Sequence, residues 1–349
     1  MKKHCFFVLL VTLIALVALS GCGSDVVDSE DVDAGSETPV DEGMEYTLRI
    51  PLVLADTHPH YIAFDTVFKA EVEEKTDGKI TIELYPNSQL GSDRETTEAV
   101  MLGTIEMSAP SASILPGFDE RFYVLDLPYL FISAQAARSA LDGDLGALLD
   151  SYLEDLGIVN LYWGESGFRN MTNNVRPITA PADLQGMKLR TMENVYHIAA
   201  FSAWGSNPTP MAFGELFTAL QQGTVDGQDN ATVIVSTSKF DEVQKYLSVT
   251  EHIYGGNCTF INKDLFDSMP AEYQQILRDA AKNTAVVHRQ LIDEMNEELI
   301  TELEDKGMEI NILTAEQKKV FADASANVKE EFINQFGSEL VDAAEKYNN

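Results

Sequence analysis

Arg190 closes a short strand-like stretch, Gly186-Met187-Lys188-Leu189-Arg190, and further along the chain an amide-rich run, Gln228-Asp229-Asn230, closes another. A guanidinium presents paired donors that match both oxygens of a carboxylate, which a lysine ammonium cannot reproduce. An asparagine amide next to it adds a neutral donor. An arginine and an amide at adjacent strand ends make a clamp for an organic acid, a chemistry of capture rather than of bond making. The elements between them would set that spacing. Asn207-Pro208-Thr209-Pro210-Met211 enters a helix rigidly, because each proline fixes its own φ and biases the preceding residue to extended geometry. Leu216, Phe217 and Leu220 mark one side of the helix, and Gly223 is its stop. Thr224-Val225-Asp226 reads as a brief strand leading into the amides. Strand, helix and strand in so few residues form an α/β layer, and ligands of open α/β sheets sit at strand ends.

Other chemistries find little support. His58-Pro59-His60 has the spacing of two metal ligands, but the chain has six histidines in all, and His197, His252 and His288 show no ligand-like spacing that would complete a zinc site. Asp226 to Asn230 lacks the spaced oxygen ligands of a calcium loop. There is no Gly-x-Ser-x-Gly elbow, Walker loop or dinucleotide glycine fingerprint. Of three cysteines, Cys5 and Cys22 lie at the start, leaving Cys258 as a small apolar residue of the folded body. Neither metal, cofactor nor catalytic residue is expected. The formal net charge of −32, from 56 acidic against 24 basic residues, argues against a nucleic-acid partner. An acid bound by so acidic a protein must be held locally, by a charge-assisted bond that outweighs distant, screened surface charge.

Along the chain, Lys2 and Lys3 precede an apolar run from Phe6 to Leu19, then Leu19-Ser20-Gly21-Cys22, an export leader with the look of a bacterial lipobox. From Gly23 to Glu45 nine acidic residues and no basic one favour an extended tether. Tyr46 to Leu54 reads as a strand, and Asp56 to Tyr61 as a loop opening a helix through about Thr76, with an Ile62, Phe64, Val67, Phe68, Val72 stripe. Lys79 to Tyr85 alternates as a strand. Ser92 with Glu95 forms a capping box for a helix ending at Gly103, and Thr104 to Met107 reads as a third strand, a βαβαβ rhythm. Gln135 to Leu156 is largely helical. Val159 to Trp163 and Met171-Thr172 read as two strands with an interruption between them. Asp279 to Asp305 is a long helix, and Thr314 to Tyr347 an amphipathic helical tail.

Lys188-Leu189-Arg190, Pro208-Thr209-Pro210-Met211 and Asp226-Gly227-Gln228-Asp229-Asn230, in this order and spacing, resemble the substrate-binding subunit of tripartite ATP-independent periplasmic (TRAP) transporters, the C4-dicarboxylate-binding DctP type. The resemblance runs from about Tyr46 to about Ala280. It includes Tyr85-Pro86-Asn87-Ser88-Gln89-Leu90-Gly91, Asp126-Leu127-Pro128-Tyr129-Leu130-Phe131 and Glu242-Val243-Gln244-Lys245-Tyr246. It implies a two-lobed α/β fold of the periplasmic-binding-protein kind, with a ligand cleft between lobes and a long helix spanning both. The implied division is residues 1–21 as lipoprotein signal peptide and 22–45 as lipidated acidic linker. Residues 46–166 and 255–290 would form one domain, and 167–254 and 291–349 the other, with the C-terminal helices.

The resemblance also implies roles. Arg190 clamps the ligand carboxylate, Asn230 donates to the same group, and Arg169 is a second arginine facing the ligand. Phe213 forms an apolar wall. Glu193 and Asn194, where family members vary, would bond ligand hydroxyls. Ser111 and Ser113 lie in a stretch that contributes from the first domain, and His58 in a loop lining that side. Pro110-Ser111-Ala112-Ser113-Ile114 lacks the Glu and Arg of sialic-acid-binding relatives, which argues against sialic acid. The ligand is left open among C4-dicarboxylates, sugar acids such as uronates, and 2-oxo acids, with Glu193 and Asn194 leaning towards a hydroxylated acid. Cleavage before Cys22 and lipidation of its thiol would hold the protein on a membrane outside the cytoplasm, where it would deliver ligand to a permease of small and large membrane subunits. A receptor that presents ligand to a sensor, or a secreted enzyme on the same scaffold, are the alternatives.

Overall fold

The computed structural model describes residues 44–348; Cys5, Cys22 and most of the acidic run lie outside them. Strand β1 (Tyr46–Pro51) leads to helices α1 (Pro59–Ala63) and α2 (Lys69–Lys75), joined by a π-helical turn at Phe64–Phe68, and then to β2 (Ile80–Tyr85), which pairs with β1 in parallel. The helical stripe is real: Phe64, Phe68 and Val72 are fully buried against Ile80 and Ile82. Helix α3 (Asp93–Met101) begins with the anticipated capping box, Ser92 bonding the Glu95 amide and the Glu95 carboxylate bonding the Ser92 amide.

The third strand differs from expectation. Only β3 (Met107–Ser108) forms, and its partner is antiparallel. The amides of Thr104 and Ile105 are held by the Ala99 carbonyl at the end of α3, so they are withdrawn from strand pairing. Helices α4 (Ala134–Leu141) and α5 (Asp144–Asp155) follow, and then β4 (Ile158–Asn173), one strand of 16 residues where two short ones were expected. Its first part pairs antiparallel with β9 (Tyr254–Asn262), which carries β3 on its other side. Its last part pairs antiparallel with β7 (Gly227–Ala231) and β8 (Tyr246–Val249). The glycines within the expected interruption allow close approach. Gly167 sits at φ +94° opposite Gly255, where a Cβ would lie 2.8 Å from the Gly167 carbonyl oxygen, and the register shifts beside this pair.

Around the far end of β4 a second sheet is built in the order β10-β8-β4-β7-β5-β6, with β5 (Lys188–Thr191), β6 (Asn207–Pro210) and β10 (Glu309–Ile312). Helices α6 (Val195–Ala203), α7 (Phe213–Gln221) and α8 (Thr232–Thr237) connect these strands. After α9 (Lys263–Ser268) comes α10 (Ala271–Asp305), 35 residues long. It buries Leu277, Ala280 and Ala281 with the β1–β2 core and Ile292, Leu299 and Leu303 with the core of α7 and α8. The architecture is therefore two α/β lobes with a long helix serving both. The tail is three helices, α11 (Ala315–Ala324), α12 (Ala326–Phe336) and α13 (Glu339–Glu345), whose Phe321 and Phe332 are buried. No described helix is long and apolar enough to cross a membrane.

An ionic cluster ties the region where the lobes meet. Arg138 of α4 donates to buried Glu165 of β4, with Nε 2.9 Å from Oε2, and to Asp293 of α10 at 2.8 and 2.6 Å. The Tyr254 hydroxyl donates to the same Glu165 carboxylate.

Candidate functional site

A pocket lies between the lobes. One side is built by the second sheet. Strand β5 delivers Arg190 and, just beyond it, Met192; β7 delivers Asn230 and Ala231; α7 begins at Phe213 and α8 contributes Ile234. The opposite side comes from Leu54, Asp93 at the start of α3, Ser111, and Asn257 of β9. Arg169, Ser166 and Gly255 line it where β4 and β9 cross.

Arg190 is buried at 2% exposure. Its Nε and Nη2 donate to the Met211 carbonyl oxygen at 3.1 and 2.8 Å, so the Pro-Thr-Pro-Met turn holds one edge of the guanidinium. No carboxylate within salt-bridge distance of it exists among the described residues. Burial and the nearby Arg169 cation push its pKa down to about 10, which leaves it charged at neutral pH. An incompletely paired buried cation on a cavity wall attracts an anion.

Arg169 lines the same cavity in a different state. Its Nε lies 2.5 Å from Asp229 Oδ2, and its Nη2 donates to the Asp229 carbonyl at 2.6 Å. Burial alone would raise the Asp229 pKa, but the Arg169 charge, with His252 3.3 Å away, holds it well below the usual carboxylate range. Strand β7 thus starts later than expected. Thr224 still closes α7 through the Ala219 carbonyl, and the polar Gln228-Asp229-Asn230 run is itself the strand. Its burial is made tolerable by a partner on β4 and by a bond within the run itself. Gln228 donates to Thr172 at 2.9 Å and Asn230 donates to Gln228 at 2.5 Å. Gly227 is required at its start, because a Cβ there would lie 2.1 Å from the Thr172 carbonyl oxygen.

Of the anticipated residues, Arg190, Arg169, Asn230, Phe213 and Ser111 converge on this cavity. Three do not. Asn194 is the N-cap of α6, accepting from the Tyr196 and His197 amides while its own amide donates to Asp126 and the Ser113 carbonyl, so no ligand-facing group remains. Glu193 is exposed and lines an adjoining crevice with Asp93 and Arg190. His58 is fully buried behind the wall, capping α1 by accepting from the His60 amide. Its neighbour His60 stacks on His288 at 4.4 Å, and Asn257, a lining residue, lies 3.2 Å from His60 Nδ1. The His-x-His pair therefore supports a wall residue rather than touching the cavity. Burial keeps all three imidazoles well below their ordinary pKa, and the His60 value falls to about 3. No metal-binding group of three His, Cys, Asp or Glu occurs among the described residues.

Asp93 is the lining residue that sequence reasoning missed. Its Oδ2 accepts from the Ser111 amide at 3.2 Å, and burial raises its pKa to about 7, against the lowering effects of that bond and of Arg190. In sequence Asp93 reads as an acidic residue in the first turn of a capped helix, which the helix dipole explains in full, so nothing signals a second role. Asn257 and Ser166 carried no signal either: Ser166 falls in the expected interruption after Trp163, and the residues around Asn257 were assigned to no element.

A family model for bacterial extracellular solute-binding proteins, family 7 (DctP), matches residues 52–335. The chain is 42% identical over 291 residues to a solute-binding protein of Verminephrobacter eiseniae, covering 83% of this chain and 86% of that one. It is 35% identical over 293 residues to the C4-dicarboxylate-binding periplasmic protein DctP of Rhodobacter capsulatus, covering 81% and 88%. Among solved structures, a TRAP periplasmic solute-binding protein from a Polaromonas species bound to D-erythronate superposes with a TM-score of 0.82 at 36% identity, covering 86% of this chain and 98% of that one.

Proposed function

The chain belongs to the DctP family of bacterial extracellular solute-binding proteins, and on that premise we propose that it is the solute-binding subunit of a TRAP-type secondary transporter, capturing a small organic acid through Arg190 and delivering it to a membrane permease. Relatives named for C4-dicarboxylate and seen with D-erythronate set the class of ligand, a sugar acid or a dicarboxylate. The observation that carries the reading is the buried guanidinium on the cavity wall whose hydrogen-bond partner, among the described residues, is a backbone carbonyl. The ligand carboxylate takes its open face, Asn230 and Ser111 supply neutral hydrogen bonds, and Phe213 packs on the carbon skeleton. No bond is made or broken, so the protein is not an enzyme.

Capture proceeds by closing the lobes, residues 46–166 with 255–290 against 167–254 with 291–349, about the Gly167–Gly255 crossing. Closure excludes water and strengthens the charged contacts. Cys22, outside the described residues, carries a lipid that anchors the protein to a membrane from outside the cytoplasm. Isothermal titration against sugar acids and dicarboxylates tests the clamp. Arg190→Ala should lose about 2–5 kcal/mol of binding, the range for truncating one member of a buried charged pair. Unchanged affinity in a folded variant would remove Arg190 from the site.

A further inference from the structure

Two contacts join the lobes on different sides of the cavity, and they differ in kind. In the first, Asp126 and Ser113 come from the chain between β3 and β4, and Asn194 and His197 open α6 beyond β5 of the second sheet. The Asn194 amide donates to Asp126 Oδ2 at 2.7 Å and to the Ser113 carbonyl at 2.8 Å, and His197 Nε2 lies 2.9 Å from Asp126 Oδ1. Asp126 and His197 are completely buried. Nearby, Tyr123 stacks on Tyr196 at 4.2 Å, and both rings belong to one apolar cluster with Leu125 and Phe201. Parting this junction would expose those rings to water, so it resists opening.

The second contact is bare. Ser88, in the turn after β2, faces Gly214 at the start of α7, where a Cβ would lie 3.7 Å from the Ser88 Cβ. Among the described residues no hydrogen bond joins Asn87 or Ser88 to α7, and an open groove runs past them. This edge can part at little cost.

The buried junction bears on the clamp. The Asn194 backbone amide donates to the Met192 carbonyl at 2.8 Å, just beyond the end of β5, so Asp126 holds the segment that carries Arg190. Ser113, which accepts from the same side-chain amide, closely follows Ser111, a lining residue whose hydroxyl lies 3.8 Å from the Met192 sulfur. Two walls of the cavity therefore meet through one carboxylate that does not itself line it.

We infer that Asp126 is a positioning residue for ligand capture: it pins the Arg190 segment to the Ser111 segment, so that the lobes part at Ser88 and Gly214 and return in register. The inference rests on the reading of two lobes that close on an organic acid.

A cysteine pair reads that register without any ligand. Ser88→Cys with Gly214→Cys places the two Cβ atoms within the span of a disulfide, about 3.5–4.5 Å. The ligand-free chain is oxidised in glutathione buffer, and the peptide linked between residues 88 and 214 is followed by mass spectrometry. The link should form in the chain carrying only this pair. Asp126→Ala should slow it ten-fold or more. Asn194→Ser keeps a hydroxyl to cap α6 but has no amide to donate, and should slow it in the same direction even if Asp126→Ala does not fold. Asp126→Asn can accept from Asn194 and donate to an unprotonated His197 Nε2, and should restore the rate. Affinities for D-erythronate and succinate, by isothermal titration, should fall and recover in parallel.

Equal link rates in all four chains would overturn the inference, as would a rate that Asp126→Asn does not restore or a pair that never links. The carboxylate clamp would survive any of these if Arg190→Ala still abolished binding. If the unmutated chain bound neither acid, the organic-acid reading would lose its support and the link rates alone would decide the role of Asp126.

Discussion

Half-buried Arg138 and fully buried Arg190 differ in what surrounds them. Arg138 donates to Glu165 and Asp293 together, and Tyr254 adds a further donor to Glu165. Arg190 sits on one backbone carbonyl, with the rest of its guanidinium on a cavity wall. Both must be desolvated, yet only the first recovers that cost within the protein. A saturated ionic cluster belongs to the architecture; an unsaturated one is a site waiting for its counter-ion. Residue type alone does not separate the two, but the partner count does.

The comparison predicts opposite consequences for the two regions. The largest should follow Glu165→Ala, which strands Arg138 and the Tyr254 hydroxyl. Breaking a buried pair from one side costs about 3–5 kcal/mol, to be read as a lowered midpoint in chemical denaturation with or without ligand. Arg190→Ala should invert this pattern. The loss of binding already described should come with no comparable loss of ligand-free stability, because among the described residues no carboxylate lies within salt-bridge distance of that cation. If Arg190→Ala destabilised the free protein as much as Glu165→Ala does, the contrast between cluster and site would fail.

A finer break concerns Asp93. Its folded pKa of about 7 lies above the ordinary 3.8, so the folded state holds a proton that the unfolded state has released between those values. Stability from this group is present below pH 3.8 and is lost as pH rises to about 7. Asp93→Asn should therefore stabilise the ligand-free protein at pH 8, with the gain fading towards pH 4 in thermal melts across that range. A gain independent of pH would mean the carboxyl is not desolvated. The smallest effect should come from the exposed i,i+4 pair Lys319–Asp323 on α11, where Lys319→Ala should change the denaturation midpoint by no more than about 0.3–0.5 kcal/mol.

What could be read in the sequence divides along physical lines. Local rules succeed where the local chain decides: the Ser92–Glu95 capping box, the β1–β2 unit and the positions of Arg190 and Phe213 needed only neighbours in sequence. The long helix was legible in part, but its first turns, from Ala271, were not read as part of it. Where a distant strand decides, the reading fails. The stretch between Trp163 and Met171 read as a break, and β9, bringing Gly255 across from Gly167, makes one continuous strand of β4. Asn194 shows the same limit. Its place after Arg190 suggested a ligand contact, whereas Asp126 and Ser113, remote in sequence, take its amide. Asp93 fails for another reason, since its helix-start role is complete and conceals the cavity behind it.

The path of β4 has a consequence for the order of synthesis. Every strand that pairs with it, β7, β8 and β9, comes later in the chain, the last ending at Asn262. A growing polypeptide that has reached residue 173 holds a 16-residue strand with two bare edges and side chains meant for burial. Such an edge is a template for pairing with another copy. Some ninety residues must emerge before that strand is covered, so neither lobe can be completed before residue 262 has been made, and the chain is safest kept unfolded until then.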